Sequence, residues 1–183
     1  MSANEVTFFP EYAIESTLFI ANLLARPKIH QVLKMRYFAD KLHLERYGWM
    51  ASGDQYTAMK NGPVASQTYD MLKSARGQDI WSWRVLSTEI QAALRVDAIT
   101  HEITVLRQAD EAKLSVADMQ CMKEAIETYG SLDFDPLTTA SHDAAWQKAW
   151  DAKDDDAGAN EMSLLDIAAS LPHGKEVLAH IQA

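Results

Sequence analysis

The sequence carries one cysteine, Cys121, in 183 residues. A lone thiol excludes an intramolecular disulfide and a cysteine-built metal cluster. Such a chain suits a reducing cytoplasm. Basic residues are also scarce. Against 26 Asp and Glu stand 17 Lys and Arg, a net charge of −9. That balance builds no broad cationic face for a phosphate backbone, so nucleic acid is not expected as the main partner. The first residues lack a basic n-region and a small-residue cleavage site, which argues against a secretory signal. No apolar run approaches the roughly 18 residues of a membrane span. The Gly-x-Ser-x-Gly elbow and the glycine-rich phosphate loop are both missing. Asn61-Gly62-Pro63 cannot replace the latter, because proline has no N–H to offer a phosphate. No internal repeat, low-complexity tract or long linker divides the chain.

What is present is a globular amount of apolar sequence, organised around residues 28–75. On a wheel at about 100° per residue, Ile29, Val32, Leu33, Tyr37, Leu44 and Tyr47 share one arc. Met35, Phe38, Ala39 and Leu42 share another, and Lys34, Lys41 and Glu45 form a narrow charged strip. A helix apolar nearly all round is surrounded by other elements. Arg36, Asp40 and His43 fall on its apolar side at i, i+4 and i+7, so one turn places Arg36 over Asp40 and Asp40 over His43. Buried charges persist only when paired. The triad therefore reads as a packing brace or as a place where a partner's polar group docks. No cofactor is implied. Asp40 and His43 with His142 and Asp143 are the only residues that suggest a metal set, and hence a metal-dependent hydrolase as an alternative reading.

The remaining elements follow from stop and start signals. Residues 9–25 have helical spacing, with Ile14, Leu18, Ala21 and Ala25 in one stripe and Pro27 as the end. Gly48 closes the second helix. Residues 55–60 read as a strand. Gly62–Pro63 reads as the start of a helix over 63–75, with proline in the first helical position. Residues 83–87 and 101–107 are further strand candidates, and 88–100 is ambiguous between helix and loop. Ser115-Val-Ala-Asp118 is a capping box for a helix whose buried side is Val116, Met119, Cys121, Met122, Ala125, Ile126 and Tyr129. Short helices are expected near 133–141, 144–152, 163–170 and up to Ile181, with an acidic loop at 153–160. Residues 131–183 hold 3 basic and 10 acidic side chains, an excess that suits a solvated loop or a basic partner. The expectation is a mainly α (α+β) single compact domain over 1–183. Its core is about 9–152, its C-terminal helices span 163–182, and it surrounds a central buried helix with a small antiparallel sheet.

Ordered motifs add a resemblance. Asp40, His43, Leu44, Tyr47 and Gly48 are followed by Tyr56, Ala58 and Met59, and then by Gly62, Pro63, Val64, Ser66 and Tyr69. Downstream come AIETYG at 125–130 and SHDAAW at 141–146, with His142 and Trp146. This set resembles the Panacea domain of SocA-like antitoxins, also described as GepA-type phage-associated proteins, from about residue 9 to 180. The resemblance implies a non-enzymatic cytoplasmic antitoxin of a type II toxin–antitoxin module that neutralises a cognate protein toxin by direct binding. Its alternative is a proteolytic adaptor that delivers the toxin to a ClpXP-type protease. Arg36, Asp40, His43, Tyr47, Tyr56, Met59, Gly62, Pro63, Ser66, Tyr69, His142 and Trp146 are then the structural or partner-binding candidates.

Overall fold

Pro10 sets where the first helix begins. In the computed structural model, which describes residues 7–152 and 159–182, helix α1 (Pro10–Leu23) starts on this proline, whose missing N–H needs no partner there. Ala25 lies beyond its end and is exposed, not part of the stripe. Helix α2 (Ile29–Tyr47) follows and stops at Gly48, which takes φ 83° and donates its N–H to Leu44 O at 2.9 Å. This is the central helix. It packs along α5 (Val116–Tyr129) and also against α1 and several later elements. Residues from Val32 through Asp40 are buried without interruption. The charged strip is thus narrower than the wheel suggests. Lys34 is inside, with 1% of its surface exposed, whereas Tyr47 at the helix end is 37% exposed.

Strand β1 (Tyr56–Met59) and strand β2 (Gly62–Ala65) form a hairpin in the register Tyr56↔Ala65 to Met59↔Gly62. Pro63 therefore stands in a strand and does not begin a helix. It is tolerated because β2 is an edge strand that pairs on one side only, where a missing N–H leaves no gap in the ladder. Helix α3 starts later (Ser66–Ala75). The 83–87 strand expectation also fails. Trp81–Leu86 is a 3-10 helix. A strand would put Trp83 and Val85 on one face, but Trp83 is buried while Val85 is wholly exposed. The ambiguous stretch becomes helix α4 (Ser87–Ala93) and strand β3 (Leu94–Val96), which pairs with β4 (Ile103–Val105).

The later elements lie close to expectation: α5, capped by Ser115, then α6 (Phe134–Ser141) and α7 (Ala144–Asp151). Val116 is the exception on α5, pointing outward at 77% exposure. Of the expected acidic loop, residues 153–158 lie outside the described residues. Asn160–Glu161 forms β5, pairing with the free side of β1 to give the order β2-β1-β5. Helices α8 (Leu164–Ala169) and α9 (Gly174–Ile181) end the described chain. The architecture is mainly helical α+β with small antiparallel sheets around one buried helix. A continuous apolar cluster runs from Ala13 to Ile181. No described helix is long and apolar enough to cross a membrane.

Candidate functional site

The polar cluster of α2 is assembled from distant parts of the chain. Arg36 is 2% exposed and Asp40 is 0%. Arg36 Nη2 donates to Asp40 Oδ1 at 3.0 Å, the i, i+4 contact that the spacing predicts. Its main partner, however, is Asp118 in the first turn of α5, bound through Nη2–Oδ1 at 2.6 Å and Nη1–Oδ2 at 3.0 Å. Two parallel charge-assisted bonds of this kind are the strong form of the interaction. Tyr12 of α1 donates its hydroxyl to the same Asp118 carboxylate. On the other side, Asp40 accepts from the Ser52 N–H at 3.0 Å, from the Ser52 hydroxyl, and from the Tyr56 hydroxyl at 2.6 Å. The cluster thus joins α1, α2, α5, β1 and the loop between α2 and β1.

Electrostatics keep Asp118, Arg36 and the two phenols in their pairing forms. Burial pushes the Asp118 carboxyl up, but the Arg36 charge and the bonds from Arg36 and Tyr12 outweigh it and hold it below its ordinary range. Burial likewise opposes the Arg36 charge, and Asp118 and Asp40 more than restore it. Burial, with carboxylates close by, raises the phenols of Tyr12 and Tyr56 well above normal, so both stay neutral donors. Each carboxylate oxygen has at least one donor, and the cluster has almost no exposed surface. No oxygen is left open to activate a water or to hold a ligand. Chemically the arrangement is a brace.

His43 is not part of that ion network. Its Nδ1 pairs with Trp49 O at 2.8 Å, and its ring lies against Tyr47 and Trp49 at centroid distances of 4.6 and 5.5 Å. His142 is placed elsewhere, stacked on Trp146 at 3.6 Å and 3°. Asp143 caps α7 through Trp146 N at 3.0 Å and ties that helix to α2, accepting from Tyr37 at 2.7 Å and Lys41 at 2.5 Å. The Asp40, His43, His142 and Asp143 metal set therefore does not assemble. Among the described residues no group of three or more His, Cys, Asp or Glu side chains is placed to hold a metal ion.

The other candidates hold the hairpin and its neighbours. Trp146 Nε1 donates to Met59 O at 2.9 Å, fixing α7 on β1. Ser66 Oγ lies 3.3 Å from Thr57 Oγ1 across the hairpin. Lys34 Nζ donates to Pro63 O at 2.7 Å, and burial lowers its ammonium to about 7. Gly62 passes directly over Lys34 and Ser141. Tyr69 is half-buried on α3, facing a cavity described below.

Two groups escape the sequence reading. Asp118 has a local explanation in the capping box, and Ser115 Oγ does accept from Asp118 N at 3.0 Å, but its carboxylate turns inward. The available signal is its position, three, four and seven residues before Cys121, Met122 and Ala125 on the buried face of α5. Asp54 is the second. It accepts from Gln55 N at 2.8 Å, Gln67 N at 2.9 Å, Thr68 N at 2.8 Å and Thr68 Oγ1 at 2.7 Å. It thereby caps α3, whose own N-cap residue, Ala65, has no side-chain acceptor. Ser52 links the two carboxylates, bonding Asp40 and accepting from Asp54 N at 3.1 Å.

The family model described as antitoxin SocA-like, Panacea domain, matches residues 32–147. That interval holds Arg36, Asp40, Asp54, Asp118 and Asp143, and so all the carboxylates of the brace and its extensions. No curated protein and no solved structure matches the chain.

Proposed function

The chain belongs to the family of SocA-like antitoxins with a Panacea domain, and we propose that it is the antitoxin of a type II module, binding a cognate protein toxin directly and holding it inactive in the cytoplasm without catalysis. The observation that carries this reading is that every carboxylate oxygen of the Arg36–Asp40–Asp118 cluster accepts a hydrogen bond from within the fold, with Arg36 Nε the one buried donor of the cluster left without a partner. The residues of the family pattern that look most like chemistry are spent on holding α1, α2, α5 and the hairpin together. A rigid scaffold of this kind binds with little ordering cost, and its surface is left to the partner.

The direct test is co-expression of the protein encoded next to this chain. Alone it should arrest growth; with this chain present growth should recover, and the two proteins should co-purify at fixed stoichiometry. A neighbour that is harmless alone, or that stays toxic beside this chain, removes the reading. A toxin whose half-life collapses in the presence of this chain, and recovers when the ClpXP-type protease is deleted, replaces direct masking by delivery.

A further inference from the structure

A cavity of about 640 Å³ opens between the first half of α2, the β1–β2 hairpin, α3, the β3–β4 turn and the start of α6. Its volume is that of a binding pocket. Its walls are unusual for this chain. Lys28, Lys34, Lys60 and Arg76 line it, and among the described residues no carboxylate does. None of the four forms an ion pair among the described residues, while most Lys and Arg side chains elsewhere are paired. In a protein of net charge −9, Lys28, Lys60 and Arg76 make this a patch of positive charge without ion pairs, with Lys34 buried beneath and bonded to Pro63 O. The floor is apolar, built by Ile29, Leu33, Met59, Val64 and Tyr69.

The rim carries one exposed aromatic ring among its polar groups, and the turn beside it is held in place. Phe134 lines the rim at 51% exposure, and Ile99 stands next to the lining residue Thr100 at 88% exposure. The turn that carries Ile99 is fixed from within. Asp97 Oδ1 accepts from Ile99 N at 2.9 Å, Thr100 N at 2.7 Å and Thr100 Oγ1 at 3.0 Å. His101 holds a left-handed φ of 58°, a conformation that non-glycine residues keep only when their surroundings impose it. Its carbonyl accepts from Ile29 N at 3.0 Å, and Arg76 Nη1 meets its Nδ1 at 3.2 Å. An apolar floor ringed by polar groups on a preorganised frame is the anatomy of an interface anchor site.

We propose that this cavity is where the toxin docks, through an acidic segment whose apolar or aromatic side chain fills the cavity while flanking Asp or Glu carboxylates meet Lys28, Lys60 and Arg76. The inference rests on the antitoxin reading and names its contact surface. Charge decides the occupant. An acidic peptide meets Lys28, Lys60 and Arg76 over a short span, whereas a long phosphate backbone would run onto the acidic remainder of the chain.

The test uses the full chain and the purified protein encoded beside it. Lys60→Glu/Arg76→Glu should weaken binding about 100-fold or more, abolish growth rescue, and flatten the loss of wild-type affinity with salt. Lys123→Glu/Lys175→Glu, at exposed cations elsewhere that form no ion pair among the described residues, should bind within about threefold of wild type. Because Arg76 touches His101, Lys28→Glu/Lys60→Glu serves as the second variant; both side chains are exposed, and the same loss is expected with an unchanged melting temperature. Wild-type binding that both cavity variants leave intact overturns this inference alone. No binding and no rescue by the wild-type chain overturns the antitoxin reading and this inference with it.

Discussion

Arg36 on α2 and Asp118 on α5 hold each other through two parallel hydrogen bonds, with both side chains out of solvent. They lie 82 positions apart in sequence. The pair joins the two helices that pack most extensively, and Tyr12 adds α1 to the same carboxylate. The loop after α2 is drawn in through Ser52 and Asp40. A buried ion pair is seldom worth more than a well-packed apolar substitute, but losing one partner is severe because the other charge is left stranded.

Asp118→Asn and Arg36→Met should each lower unfolding free energy by about 3–5 kcal/mol. In a urea double-mutant cycle the two losses should be far from additive, since either change breaks the same contact. Asp40→Ala should also destabilise, by about 1–3 kcal/mol or more, since it strands the Ser52 and Tyr56 donors. His43→Ala should cost only about 1 kcal/mol, because its bond runs to Trp49 O and not to Asp40. A variant of this group that keeps its full stability yet fails to rescue growth would show that the cluster acts on the partner and is no brace.

Asp54 supplies a cap from outside the helix it caps. Asp54→Ala removes the acceptor from Gln67 N and Thr68 N at the start of α3 and from the Thr68 hydroxyl. The expected loss is about 1–2 kcal/mol for the cap, rising toward 3 because these donors are largely buried. Amide exchange reads it residue by residue. The Gln67 and Thr68 amides should lose protection first, while α5 amides change only by the global amount. Uniform change across the protein would mean that Asp54 is not acting as a cap.

Much of this was legible where the interaction is local. Arg36 and Asp40 are one helical turn apart, so their contact follows from spacing alone. Gly48, Ser115 and Ser163 mark helix ends because the capping chemistry is carried by neighbouring residues. The misses are non-local or have a competing local reading. Asp118 was already explained by Ser115, which hid its role for Arg36. Pro63 fits a helix start as well as an edge strand, and only the pairing of Met59 with Gly62 decides between them. Lys34 resembles every solvent-facing lysine until the Pro63 carbonyl arrives above it from the hairpin. The cavity combines residues of five elements, so no single stretch announces it.

Lys34 predicts a pH dependence. Burial brings its folded value down to about 7 from an ordinary 10.5. Between these values the unfolded chain binds the proton and the folded chain releases it, so stability rises with pH across that window. Below pH 7 the group is charged in both states and its penalty is fully present. From pH 7 to pH 9 the gain should be about 2 kcal/mol. Above pH 10 the raised phenols of Tyr12, Tyr37 and Tyr56 act in the opposite sense, since they stay protonated only when folded. Urea unfolding of the wild type and of Lys34→Met at pH 7 and pH 9 isolates the contribution. The difference between the two pH values should shrink in the variant, and an unchanged difference would assign the dependence to other groups.

Gly62 and Gly77 offer a matched comparison. Both take left-handed φ values, 99° and 91°, so alanine at either position carries backbone strain of about 1–3 kcal/mol. Around Gly77 an added Cβ meets nothing within 4 Å. At Gly62 it would come within 2.4 Å of Ser141 Oγ and 2.7 Å of Lys34 Nζ. Neither atom is free to retreat without loss. Ser141 Oγ donates to Thr138 O at 2.8 Å, Lys34 Nζ donates to Pro63 O at 2.7 Å, and both side chains are buried. Moving either one breaks a bond worth about 1–3 kcal/mol when left unsatisfied. Gly62→Ala should therefore cost about 2 kcal/mol more than Gly77→Ala in the same urea titration. Equal losses at the two positions would mean that α6 gives way under the hairpin, and that Lys34 is not held as tightly as its bond to Pro63 indicates.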